Sequence, residues 1–228
     1  MRMPSEGSST NLWRRIVLYL VARLTRNRRT RHLVAVLQPA LDALAAAADG
    51  AREADEAMIL ARAEYDGTDD DVDEVATGFE GELLLSVGKK RKAAIYGKCF
   101  PNGLVAVTGA RIPDEVRLVK TLEGTIRREL PDADFAQRYL PRMTAARVEM
   151  ERRIPLMQKA MDDAAAAWSV ELAARADLRR QYRIVYAELL KIFADNPRKA
   201  NSFFRDPGTG GRAAEETGPE PGPAGSPA

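Results

Sequence analysis

Residues 104–113 read Leu-Val-Ala-Val-Thr-Gly-Ala-Arg-Ile-Pro, and the choice between an α/β chain and an all-α chain turns on them. A short β-branched run ending in Thr108-Gly109-Ala110 has the form of a strand entering a phosphate-binding turn. The flanks argue otherwise. Asn102-Gly103 before the run is a turn signal, and Pro113 suits the first position of a helix. Beyond it Val116, Val119, Leu122/Glu123, Ile126 and Leu130 recur at helical spacing.

As a dinucleotide site the stretch fails on its glycines. The Thr-Gly-x-x-x-Gly-x-Gly fingerprint of short-chain dehydrogenases would place two later glycines at Pro113 and Glu115. Neither residue permits the close backbone approach to a pyrophosphate that those glycines provide, and Glu115 would repel it. No strand–helix alternation follows. The stretch therefore reads as a joint between helices, spanning about 97–112.

Working outward, the pattern is helical on both sides. Trp13, Ile16/Val17, Leu20 and Leu24 lie on one face, after Thr10 or Asn11 as a cap. Leu33, Val36/Leu37, Leu41, Leu44 and Ala48 continue it, with Pro39 as a kink or fresh start. Asp49-Gly50 reads as a turn, followed by an acidic helix to about Tyr65, a second turn at Asp66-Gly67-Thr68, and a helix bearing Val72, Val75, Phe79, Leu83 and Val87. The longest periodic segment runs from Asp134 to about Asp195, with Pro141 and Pro155 as bends. Its stripe of Met143, Met150, Ile154, Met157, Met161, Trp168 and Leu172 is a candidate helix–helix seam, because methionine fills uneven gaps. Phe203-Phe204 should pack the chain end back on the bundle.

The fold class expected is all-α: an elongated antiparallel helical bundle with long, partly coiled-coil helices and a disordered C-terminal tail. The domains expected are a disordered N-terminus at 1–9, one helical-bundle domain at 10–205 in two halves joined at about 97–112, and a Pro/Gly-rich disordered tail at 206–228. That tail holds five of the 13 Pro and six of the 16 Gly.

Composition excludes much chemistry. The chain has 228 residues with one cysteine, Cys99, and one histidine, His32. No internal disulfide is possible. A structural zinc site needs four N/S ligands, and a ferritin-like di-iron site needs two histidines. Asp69, Asp71, Asp73 and Glu80 mimic positions 1, 3, 5 and 12 of an EF-hand loop, but position 6 is Glu74 where the sharp turn requires glycine. Acids crowding a helix start explain them better. No catalytic residue, metal or cofactor is expected, and no small-molecule ligand.

The net charge of +2 hides strong segregation. Residues 1–35 sum to +7 and residues 49–82 to −11, and residues 89–98 add five bases. Arg14, Arg15, Arg23, Arg26, Arg28, Arg29 and Arg31, with Lys89, Lys90, Arg91 and Lys92, form a candidate basic interaction patch. The basic first helix and the acidic segment are expected to lie side by side. The apolar run Ile16–Ala22 is too short to span a bilayer, no other segment is expected to reach that length, and a cytoplasmic location follows. The function expected is a non-catalytic scaffold or adaptor, acting through protein–protein or self-association. Nucleic-acid binding, or anionic-membrane binding by the basic N-terminal helix, is the alternative.

Overall fold

The structure, a computed structural model, describes residues 3–5 and 7–204. It is all-α, with no strand among the described residues. The elements are α1 (Thr10–Arg26), a 3₁₀ turn (Arg31–Leu33), α2 (Val34–Ser86), α3 (Ala94–Cys99), α4 (Val105–Thr108), α5 (Ile112–Glu129), α6 (Asp134–Ile192) and α7 (Pro197–Asn201). The tail expected at 206–228 lies outside the described residues. At the N-terminus Met3 packs against a core and Pro4 is buried.

Two helices are longer than their sequence punctuation suggests. α2 runs through Pro39, Asp49-Gly50 and Asp66-Gly67 for 53 residues, where two turns were expected. α6 runs through Pro141 and Pro155 for 59 residues. A glycine inside a helix costs only about 1 kcal/mol against alanine. Alanines at 45–48, 51, 54, 57, 61 and 63 surround both glycines with the best helix former, and propagation is cooperative once a helix exists. The true end of α2 is at Gly88. Its φ is +64°, its N–H bonds Leu85 O, and the N–H of Lys89 bonds Leu84 O. This is a Schellman cap, in which a left-handed residue satisfies the last carbonyls. α1 begins one residue early, with the Ser9 side chain accepting from Leu12 N. The basic run at 26–31 is the end of α1 followed by a tight turn, fixed by the buried Thr30 hydroxyl donating to Leu24 O at 3.0 Å.

The chain divides into two compact units. Among the described residues, unit 1 comprises those up to 51 and those from 167 onward, and unit 2 residues 52–166. The division falls inside both long helices, not at the joint of 97–112. That joint belongs wholly to unit 2, because Tyr96, Cys99, Phe100, Val107 and Ile112 all enter its core.

Unit 1 packs α1 on the first part of α2 and the last part of α6. Trp13, Leu20, Leu37 and Leu44 meet Leu178, Tyr182, Val185 and Leu189. Trp13 stands edge-on to Tyr182 at 5.8 Å. Phe203 stacks on Phe193 at 5.7 Å, and Phe204 meets Tyr182 and Tyr186 edge-on, so the aromatic pair closes this core. Unit 2 packs the rest of α2 and α6 with α3, α4 and α5, around Phe79, Leu83, Val119, Leu122, Ile126, Met143 and Met150. Within it α2 and α6 are antiparallel. Glu64, Glu74 and Glu82 of α2 pair with Arg153, Arg142 and Arg138 of α6 in reverse order. The acidic segment therefore draws these partners from α6 rather than from the basic first helix.

Candidate functional site

The methionine stripe of α6 divides in two. Met143, Met150 and Met157 are buried in unit 2 and Ile154 is half-buried. Met161, Trp168 and Leu172 are 47%, 51% and 43% exposed, with Leu156 and Val170 also open to solvent. Alanines explain the change. The half-buried positions of α6 here are Ala160, Ala164, Ala167 and Ala174, and those of α2 include Ala47, Ala51, Ala54 and Ala61. Alanine faces allow close packing but remove little area from water, and they leave larger neighbours uncovered. On α2, Ile59 and Leu60 are exposed in the same way. In unit 1 the guanidinium of Arg175 lies over Trp168 at 5.7 Å. That arginine is held by Glu171 and by the hydroxyl of Thr10, at 2.8 and 2.7 Å from Nη2.

The basic residues also divide. Arg14, Arg15, Arg23, Arg26, Arg28, Arg29 and Arg31 lie in unit 1, and Lys89, Lys90, Arg91 and Lys92 in unit 2. All are exposed. Several have structural work. Arg29 donates to Ile192 O at 2.8 Å and lies over Phe193, and Arg23 lies over Phe203 at 5.7 Å. Arg29 sits where the C-terminal carbonyls of α6 favour positive charge. Arg31 donates to Thr25 O, and Arg91 reaches Glu80 at 3.5 Å. Trp13, which an interfacial helix would place in lipid, is buried.

The joint that opened the question of a nucleotide site has no phosphate cradle. Val105–Thr108 forms one helical turn. Gly109 has an ordinary φ of −110° and is needed for space, since a Cβ there would meet Val105 O at 2.9 Å. A small cavity of about 80 Å³ beside the joint is lined by Cys99, Phe100, Val107, Leu118 and Leu122 among others. Burial pushes the Cys99 thiol up to about 11, which makes it an unreactive part of the core.

Sequence reading missed the buried carboxyls. Glu80, Glu115, Glu123 and Glu171 are the buried acids among the described residues. Three have cations. Glu80 accepts from the Tyr96 hydroxyl at 2.6 Å and pairs with Arg91. Glu123 accepts from Arg147 at 2.8 Å and pairs with Arg127. Glu171 pairs with Arg175. Glu115 has none. It is 0% exposed, and no donor bonds either carboxyl oxygen. Burial, then the carboxyls of Asp69 and Asp73, push it up to about 9. Asp73 is itself raised by burial and by Asp69, and its Oδ1 is also buried and unbonded. Glu115 lies in the first turn of α5, whose dipole favours an anion by only about 0.3–1 kcal/mol. The readable signal was the period: Glu115 stands four and seven residues before Val119 and Leu122, on the apolar face. Among the described residues no three His, Cys, Asp or Glu side chains are gathered so as to hold a metal ion.

One helix, Arg31–Ser86, is long and apolar enough over 18 residues to cross a membrane by length and composition alone, which corrects the expectation that none would be. Residues 33–48 bear a single charge, Asp42, and the leucines among them, Leu33, Leu37, Leu41 and Leu44, form part of the core of unit 1. No protein-family model, no curated protein and no solved structure matches this chain. Its class is therefore set by its own architecture: an all-α protein whose two long helices are each shared by two packed units.

Proposed function

We propose that the protein is a non-catalytic helical scaffold or adaptor that acts by self-association through α6. The observation that supports this is the exposure of Met161, Trp168 and Leu172, apolar residues in register with buried ones on the same helix. Exposed apolar groups arranged as a row, rather than scattered singly, mark interaction surfaces. A helix that presents such a row to an antiparallel copy of itself satisfies both copies at once, the self-complementary arrangement of a twofold dimer. Methionine adapts to the uneven alanine-rich surface opposite it, and Trp168 supplies the large aromatic anchor that interfaces favour. A cytoplasmic location accords with this reading. The experiment is light scattering behind gel filtration of the full chain and of the Met161→Glu/Trp168→Glu double variant. Both positions are exposed, so the variant keeps its fold by circular dichroism. The expected result is a concentration-dependent dimer that the variant abolishes.

A second reading rests on the exposed Arg14, Arg15, Arg26 and Arg28, which are open to phosphate-bearing polymers or an anionic membrane. Heparin retention across a salt series checks it. A steep loss of binding with salt supports phosphate contacts, and no retention at low salt removes them.

A further inference from the structure

Four glutamates are buried among the described residues, and Glu115 alone is surrounded by acids. The cations of α6 that reach α2 and α5 are committed elsewhere. Arg138 pairs with Glu82, Arg142 with Glu74, Arg147 with Glu123 and Glu151, and Arg153 with Glu64 and Glu149. On α5 itself Arg117 pairs with Asp114. From α2, Asp69 and Asp73 act on Glu115, and Asp70 acts on Asp73 in turn. The helix periodicity places Asp69 and Asp73 on one face of α2, four residues apart. An ionised Glu115 would lie in the interior with no counter-charge and two like charges beside it, an arrangement proteins avoid by keeping one carboxyl neutral.

We infer that Asp69, Asp73 and Glu115 are a proton-holding latch between α2 and α5 in unit 2, closed when Glu115 is neutral and loosened when it ionises. A proton on Glu115 turns a repulsive contact into a donor facing an acceptor. Loss of that proton to solvent leaves the carboxylates to repel one another, and α5 is pushed away from α2. Because the group is shifted upward in the folded chain, the folded state binds more protons than the unfolded state between the ordinary carboxyl range and the raised value. Stability is then greatest at acid pH and falls as pH rises toward about 9.

The test is urea unfolding of the full chain followed by far-UV circular dichroism at pH 6 to 9, for the natural protein and for Glu115→Gln. Glutamine keeps the shape and the neutral state. Few other groups titrate in this window, and the single histidine is common to both proteins. The expected result is that the folding equilibrium constant of the natural protein falls up to about tenfold per pH unit relative to the variant. In parallel, carbonyl-carbon NMR of the natural protein should show the Glu115 carboxyl unmoved near pH 4.5 and titrating only in the alkaline range. Equal pH dependence in the two proteins, or a Glu115 resonance titrating near pH 4.5, overturns the latch. So does stabilisation of the natural protein by millimolar magnesium or calcium that Glu115→Gln removes, because the cluster would then hold a cation on ionised carboxylates.

Discussion

Glu123 and Glu115 lie two turns apart on the same side of α5 and meet opposite surroundings. Glu123 sits between Arg147 and Arg127, and Arg147 also holds Glu151 at 2.9 Å. Removing one member of a buried pair leaves the other charged and unsolvated. Arg147→Ala is therefore expected to cost about 3–5 kcal/mol in urea unfolding, and Glu123→Leu/Arg147→Met together far less. In unit 1, Trp13→Ala removes the largest fully buried side chain and should cost about 3–5 kcal/mol. The positions of both glutamates on an apolar face are visible in the sequence. Their partners are not, because Arg147 and Asp73 come from other helices, and the register between helices is set by long-range packing that periodicity does not encode.

At the scale of elements, periodicity placed the apolar faces correctly but misread the punctuation. Val72, Phe79, Leu83, Val119, Leu122 and Ile126 all lie in the core where their spacing put them. Asp49-Gly50 and Asp66-Gly67 read as turns, yet both lie inside α2. A glycine near an aspartate looks the same in a left-handed turn and in a helix interior. What separates the two is the cooperative gain of an unbroken helix, which the alanine flanks tip. Gly88, with its left-handed φ, was the glycine that did end the helix. A direct consequence follows for stability. A Cβ at Gly50 or Gly67 meets nothing within 4 Å. Gly50→Ala and Gly67→Ala should each stabilise the protein by about 0.5–1 kcal/mol in thermal or urea unfolding. If these residues occupied left-handed turns, the same substitutions would destabilise it.

At the scale of the whole molecule, the all-α class was legible from the failed glycine pattern at Leu104–Pro113 and from helical spacing on both sides of it. The division into two units was not. It follows from where large side chains give way to alanine on both long helices, a change of size within an unchanged period. The same change exposes Met161, Trp168 and Leu172 on a stripe whose earlier members are buried. A stable interface needs about 1,200–2,000 Å² in total, so a row on one helix must be joined by further surface beside it. Light scattering behind gel filtration over a hundredfold range of loading concentration tests self-association through this row. The expected mass moves from the monomer value of 25.1 kDa toward about twice that, with Met161→Glu/Trp168→Glu remaining monomeric throughout. A natural protein that stays monomeric at the highest concentration, or a double variant that associates as strongly as the natural protein, would contradict it.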